Sequence, residues 1–133
     1  SVVDEASAAS FWRGLRDHRD EFFTGAEEAL AQGASLWRFS VAPTAPKLAL
    51  HGMQQLIEWG GAQRWVVSDA KHELMHAAAA EARGSASVFR GRHHGSETFA
   101  PLSAPLLRIH RQTLQAFDPT GVFNPQRLHP ALA

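Results

Sequence analysis

Residues 54–69, QQLIEWGGAQRWVVSD, constrain the fold more than any other part of the chain. Two short runs rich in Ile, Val and Trp are separated by Gly60-Gly61, a dipeptide that accepts positive φ at both central positions of a hairpin turn. Alternation of side chains predicts one large apolar face and one charged face on this hairpin. Because an isolated hairpin is marginally stable in water, other elements must cover the apolar face.

Periodicity, capping residues and breakers predict those other elements. Helices are expected at residues 11–22, 70–83 and 104–117, and strands at residues 35–42 and 85–90, with a loop at residues 24–34. This order predicts an α+β fold: a mostly antiparallel four-stranded sheet with helices packed on one face, as in a ferredoxin-like cap domain. The apolar sheet face is predicted to hold Trp37, Phe39, Ile57, Trp59, Trp65, Val67 and Phe89, and the opposite face Arg38, Ser40, Glu58, Arg64 and Arg90.

Composition narrows the class of protein further. The 133 residues suit a single domain with a real core. Thirteen basic residues balance thirteen acidic ones without a basic stripe, which argues against a nucleic-acid partner. The absence of cysteine removes thiolate catalysis, and no apolar run is long enough for direct insertion into a membrane. The chain begins at Ser1 in a small-residue stretch, so we expect a piece of a longer protein whose missing part lies upstream.

One motif supports an enzyme of a different class. His72-Glu73-Leu74-Met75-His76 matches H-E-x-x-H, which on a helix presents two imidazoles for zinc and a glutamate as general base. The metzincin continuation is absent, because alanines stand where its glycine and third histidine would be. A zinc peptidase would need a third ligand, and Glu97 fits that role only by analogy with zincins that use a distant downstream glutamate, since it lies in a predicted loop. His93-His94 is a second candidate pair for a metal. Coincidence on an Ala-rich helix remains the simpler interpretation, and no metal ligand is assigned.

Three segments together resemble a known family. They are FWRGLRDHRDEFF at residues 11–23, LWRFSVAPTAP with QLIEWGGAQRW at residues 36–46 and 55–65, and APLLRIHRQTLQAFDPTGVFNPQRLHP at residues 104–130. In this order they resemble the C-terminal part of an FAD-binding subunit of bacterial glycolate oxidase. Proteins of that family are FAD-linked oxidases of the vanillyl-alcohol-oxidase type.

The resemblance implies a function for residues 1–133 as one cap domain that covers the flavin and contributes to the substrate pocket. FAD would be bound mainly by a domain upstream of Ser1, and the complex would oxidise glycolate, a small 2-hydroxy acid, to glyoxylate. Its partners would be a homologous flavin subunit and an iron–sulfur subunit. The protein would be cytoplasmic. Peripheral contact with the inner face of the cytoplasmic membrane, made through the complex, is an open alternative. The isolated chain is expected to be inactive, with no catalytic residue of its own.

The resemblance also suggests site residues. Arg38 and Arg64 match arginines of the family's strand and hairpin motifs, and a guanidinium is a natural bidentate partner for a small carboxylate. Pairing of both arginines with Glu58 or with the flavin domain is the alternative. The residues expected to face the flavin domain are Ser40, Glu58, Arg90 and Asn124, and Gln126 replaces the family's usual glycine after Asn-Pro. A subunit-docking domain without its own catalysis remains a separate hypothesis.

Overall fold

A computed structural model describes residues 3–91, 98–123, 129 and 132. Within these residues the helices are α1 (Glu5–Arg16), α2 (Glu21–Ala31), α3 (His72–Glu81) and α4 (Ala104–Phe117). The strands are β1 (Ser35–Ser40), β2 (Gln55–Glu58), β3 (Gln63–Ser68) and β4 (Ser85–Arg90), with one turn of 3₁₀ helix at Trp59–Gly61. The α+β class and the four-stranded antiparallel sheet predicted from the sequence are confirmed.

The sheet has the strand order β2-β3-β1-β4, and every neighbouring pair is antiparallel. This is the order of a ferredoxin-like sheet. The crossover from β1 to β2, residues 41–54, is irregular instead of helical. Its Leu48 and Leu50 are buried in the same core cluster as α3, so the crossover covers the sheet face where a ferredoxin-like domain carries a helix.

The first sheet face, called the α3 face, packs against α3 and the crossover. Trp37, Phe39, Val66 and Met75 are fully buried in its core. Alanines on α3 allow that helix to approach the sheet closely, since Ala78 and Ala79 are also buried there. Burial of these large side chains, at roughly 1.5–3 kcal/mol each, makes this face the main stabilising core of the domain.

The second sheet face, called the α2 face, packs against α1 and α2. Its core cluster contains Leu36 and Trp65 from the sheet, Leu15 from α1 and Phe23 from α2. The prediction that the helices pack on one face is therefore wrong in this detail. The register pairs Trp37 with Val66 and Arg38 with Trp65, so Trp65 lies on the opposite face from Trp37.

The N-terminal helical region also differs from the prediction, which placed one helix at residues 11–22 and a loop after it. Two helices form instead, because Asp4 and Asp20 each cap one by accepting a hydrogen bond from a backbone N–H two or three residues later. Between them His18 adopts a left-handed conformation with φ 55°. The prediction missed this break because His18 fits the helical stripe, and nothing local requires a turn there.

The hairpin of β2 and β3 forms as predicted, with a longer connection than a two-residue turn. Glu58 pairs with Gln63, so four residues connect the strands. Gly60 and Gly61 both have positive φ, at 60° and 97°, as the sequence predicts, and Trp59 joins them at 52°. A Cβ on Gly61 would lie 2.5 Å from the Pro43 carbonyl oxygen, so glycine is required there for space as well as for conformation.

Candidate functional site

The register of the sheet brings three of the predicted residues together on the α2 face. Arg38 is opposite Trp65, while Ser40 is opposite Gln63, which in turn is opposite Glu58. Directly opposite residues share a face, so Arg38, Ser40 and Glu58 all lie on the side of Trp65. Arg38 and Ser40 are exposed, and Glu58 is half-buried. The predicted polar surface exists, but it is interleaved with the aromatic core of α1 and α2.

Arg64 is the exception, because it lies on the α3 face. It is opposite Phe39 and only 1% exposed. Its guanidinium donates to three backbone carbonyls: Nε to Gly61 at 3.2 Å, Nη2 to Ala45 at 2.5 Å, and Nη1 to Pro46. Arg38 and Arg64 therefore point to opposite sides of the sheet. A substrate contact by Arg64 stays a prediction, and these contacts favour a structural role that ties the crossover to the hairpin.

Arg90 is on the edge strand β4 and pairs with a helix that covers the α2 face. Its Nη1 and Nη2 donate to the two carboxylate oxygens of Glu27 at 2.8 and 3.1 Å. The hydrogen bond from Arg90 lowers the pKa of Glu27, and the same bond raises the pKa of Arg90. Both side chains are largely exposed, so this pair adds little to stability. Its contact with a partner domain stays a prediction.

A cavity of about 300 Å³ opens at one end of the α2 face, where α1 meets the hairpin. It is lined by Trp12, Leu15, Arg16, His18, Glu58, Trp59, Gln63 and Trp65. We call it the indole cavity. Glu58 Oε1 accepts hydrogen bonds from Gln63 Nε2 and from Trp65 Nε1, each at 2.6 Å. These two bonds hold the carboxylate of Glu58 at the wall of the cavity.

Two lining residues of the indole cavity have strained backbones. His18 has φ 55° and Trp59 has φ 52°, and a left-handed conformation is uncommon for a side chain as bulky as tryptophan. The His18 ring stacks on Phe23 with centroids 4.0 Å apart and meets Trp65 edge to face at 5.1 Å. Backbone strain of this kind concentrates at functional sites.

Sequence reasoning missed this cavity, because Trp59 and Trp65 were predicted to lie on the apolar, covered face of the sheet. Trp12 is 63% exposed and Trp59 is 75% exposed, so neither is a core residue in this chain. The available signal was the position of Trp59 directly before two glycines in the turn, where strand alternation no longer determines which side a residue faces. The contacts of His18 with Phe23 and Trp65 place its ring at the edge of the α2-face core.

The H-E-x-x-H motif lies at the start of α3, as predicted, with its histidines against the sheet. The rings of His72 and His76 meet the Trp37 indole edge to face, with centroids 5.0 and 5.7 Å away. Their own centroids are 6.4 Å apart. Over residues 3–91, 98–123, 129 and 132, no group of three His, Cys, Asp or Glu side chains is arranged to hold a metal ion. The other candidates for metal ligation, His93, His94 and Glu97, lie outside the described residues, as do Asn124 and Gln126.

The described residues do not form a complete FAD site. A dinucleotide is normally held by a glycine-rich loop at a helix N-terminus. The residues before the four described α-helices are Asp4, Asp20, Lys71 and Ser103, and none of these helices follows a glycine-rich loop. Among the described residues, no helix N-terminus therefore offers a glycine-rich cradle for a diphosphate.

The last helix, α4, exposes apolar side chains. It buries none of its residues against the part of the chain that the structure describes. Its exposed large apolar residues, with those that follow it, are Leu106, Ile109, Leu114, Phe117, Val122 and Phe123. Helices in proteins are stabilised mainly by packing of their apolar face against other polypeptide, so the exposed apolar side chains of α4 are suited to contact with a further part of the protein or with a partner. None of the described helices has the length and apolarity needed to cross a membrane.

Comparison with known proteins connects the chain to an oxidase subunit. No protein-family profile and no solved structure matches it. It is 43% identical over 128 residues to glycolate oxidase subunit GlcE of Escherichia coli strain K12. The match covers 96% of this chain and 33% of that subunit, so the chain spans about a third of the relative's length, consistent with its C-terminal domain. The chain is therefore a relative of glycolate oxidase subunit GlcE over one third of that protein, which confirms the resemblance drawn from the sequence.

Proposed function

We propose that this chain is the C-terminal cap domain of a glycolate oxidase subunit that covers the flavin during oxidation of glycolate to glyoxylate. The observation that supports the proposal most is the 43% identity to subunit GlcE over nearly the whole chain. FAD would be held mainly by a domain outside this chain, because the described residues lack a cradle for its diphosphate. In this proposal the chain covers the flavin and helps to position the substrate, and in isolation it carries out no redox step.

The α2 face is the surface that we assign to the flavin domain. It carries Arg38, Ser40 and Glu58, and Arg90 lies at its edge. Arg38 is exposed, so its guanidinium can pair with a carboxylate without breaking a contact of the fold. Arg64 is buried on the other face with three carbonyl partners, so we assign it to the fold and retain only Arg38 as the substrate-binding candidate.

The exposed apolar surface of α4 supports a place in a larger assembly. Phe117 is 83% exposed and Ile109 is 54% exposed, and the match covers only a third of the relative. We propose that this helix packs against the remainder of a longer flavoprotein. The other glycolate oxidase subunits, including a homologous flavin subunit and an iron–sulfur subunit, would complete the complex on the cytoplasmic side of the membrane.

Anaerobic visible spectroscopy of the full-length subunit tests the proposal. We expect a bound-flavin band that bleaches when glycolate is added, because bound flavin would supply the electron acceptor for oxidation of the 2-hydroxy acid. Replacing Arg38 with Ala should slow bleaching and weaken the apparent affinity for glycolate by about 10- to 100-fold, the effect of losing one charge-assisted carboxylate contact. Arg83→Asn is the matched control: Arg83 is an exposed arginine after α3 with φ 55°, a conformation that Asn tolerates.

The outcome separates the oxidase from its alternative. Absence of flavin from the full-length subunit would refute the assignment. A flavin band that glycolate leaves unchanged would favour a subunit-docking domain without its own substrate oxidation, a role that the exposed side chains of α4 also fit. Equal effects of Arg38→Ala and Arg83→Asn would remove Arg38 from the substrate site.

A further inference from the structure

The indole cavity has a composition that selects for positive charge. Three indoles and one imidazole line it, together with the carboxylate of Glu58. The face of an aromatic ring carries negative electrostatic potential and attracts cations, most strongly for tryptophan. A carboxylate in the same wall adds a direct ion-pairing group. We infer that the indole cavity binds a cationic side chain, the guanidinium of Arg or the ammonium of Lys, from a neighbouring polypeptide.

Hydrogen bonds within the fold orient the carboxylate of Glu58 before such a ligand binds. Both bonds to Oε1, from Gln63 and Trp65, are 2.6 Å long and fix the orientation of the group. We assign the other oxygen, Oε2, to accept a hydrogen bond from the incoming cation. Fixing the acceptor in advance reduces the entropy that binding costs.

Arg16, the cationic residue that already lines the cavity, pairs with Asp17 instead of Glu58. Arg16 lines the wall, but its Nε and Nη2 donate to the carboxylate of the adjacent Asp17 at 2.7 and 3.2 Å. That pair is neutral as a unit, and the Arg16 side chain is 71% exposed. Among the described residues that line the wall, Glu58 then contributes the remaining formal charge, and this charge is negative. It attracts a cation and repels a carboxylate such as glycolate.

Backbone strain at the cavity agrees with a binding role. His18 and Trp59 both hold left-handed conformations, and both line this cavity. The 75% exposure of Trp59 also means that this side chain gains little from packing within the described part of the chain. A ligand that stacks on the indole would offset the strain with contacts that the described residues do not supply.

The inference that the cation belongs to a polypeptide rests on the proposed function, in which the α2 face meets another domain. The inference that the cavity prefers a cation is independent of the proposed function. Trp12 and Trp59 stand out from the surface, so a small free cation would leave most of both indoles in water. A side chain presented by a folded surface would cover them. This argument favours an arginine or lysine that projects from the facing domain.

Nuclear magnetic resonance of this chain with two matched probes tests the inference. Methylguanidinium chloride represents an arginine side chain, and N-methylurea is its neutral, planar analogue; sodium chloride keeps the ionic strength constant. We expect methylguanidinium to shift the indole N–H signals of Trp12, Trp59 and Trp65 in a saturable manner. Trp37, buried on the α3 face, should not shift and serves as the internal reference. N-methylurea should shift none of the four.

Substitutions then separate charge from stacking. Glu58→Gln keeps an oxygen acceptor for Trp65 and removes the charge, and we expect binding of methylguanidinium to weaken at least about fivefold. Trp59→Gly removes one indole and relieves the left-handed strain, and we expect a loss of about 2- to 30-fold. Phe117→Ala on α4 is the control and should change nothing.

Any one of three results would overturn the inference. These are equal responses to the two probes, a shift of Trp37 as large as those of the other tryptophans, and unchanged binding of methylguanidinium after Glu58→Gln. None of these results depends on flavin. The inference can therefore fail while glycolate still bleaches the full-length subunit, and the oxidase assignment can fail while methylguanidinium still binds.

Discussion

Arg64 offers the sharpest test of how this fold is held together. Arg64→Met keeps much of the apolar stem and removes the guanidinium, which leaves the carbonyls of Gly61, Ala45 and Pro46 without their shared donor. Hydrogen bonds from a charged donor contribute about 1.5–3 kcal/mol each, so three sum to about 5–9 kcal/mol. Removing a buried charge returns several kcal/mol of desolvation cost. We expect a net loss of about 3 kcal/mol in the free energy of unfolding.

Urea denaturation followed by tryptophan fluorescence measures this loss, with Arg38→Met as the matched control. Arg38 is exposed on the neighbouring strand, so its replacement should change the free energy of unfolding by no more than about 0.5 kcal/mol. Arg64→Lys should lie between the two, because an ammonium keeps the charge but cannot reach all three carbonyls in the fork geometry of arginine. An Arg64→Met chain as stable as the Arg38→Met chain would refute the structural role and make Arg64 a candidate substrate contact again.

Three further substitutions test separate parts of the fold by the same denaturation assay. Gly61→Ala should cost about 2 kcal/mol, because its φ is 97° and the added Cβ would meet the Pro43 carbonyl; an unchanged midpoint would contradict this close approach. Met75→Ala should cost about 2–5 kcal/mol, since Met75 is 0% exposed in the α3-face core, and a loss below about 1 kcal/mol would mean that α3 packs loosely. Glu27→Gln should flatten the acid dependence of stability: the hydrogen bond from Arg90 depresses the folded-state pKa of Glu27, so its contribution is present above the unfolded value of about 4.5 and is lost as pH falls through the folded pKa. Because both side chains are largely exposed, we expect a small difference, and parallel pH curves for the two chains would contradict the depressed folded-state pKa of Glu27.

Local patterns in the sequence predicted the elements of the C-terminal half well. β4 and α4 form at residues 85–90 and 104–117, as their alternation and helical periodicity predict. The positive φ of Gly60 and Gly61 follows from the absence of a Cβ. These features depend on neighbours along the chain, so one sequence contains the information needed. The helix break at His18 was not predicted, although the Asp20 cap that starts the second helix is local; the contacts of the His18 ring with Trp65 depend on the tertiary fold.

Which residues share a sheet face could not be predicted, because this depends on register between strands. Alternation within β1 and within β3 was right, but both strands have large apolar residues at successive positions: Leu36-Trp37 in β1 and Trp65-Val66 in β3. A shift of one residue between two such strands moves every side chain to the other face. In either register, each face of the sheet receives large apolar side chains from these two strands. Helices α1 and α2 decide between the two registers, because they supply a second apolar layer for Trp65.

This difference in register also decides how the candidate site can work. If Arg38 and Arg64 shared a face, they could clamp one carboxylate together. In the structure the sheet separates them, and Arg64 already donates to three carbonyls. Any anion at the position of Arg38 on the α2 face then meets an exposed guanidinium, while the neighbouring indole cavity presents Glu58 and favours a cation. Our two proposals together would give this surface a position for a small anion beside a position for a basic side chain. An arginine or lysine seated on Glu58 would neutralise that carboxylate and so remove its repulsion of the small carboxylate that we propose Arg38 binds.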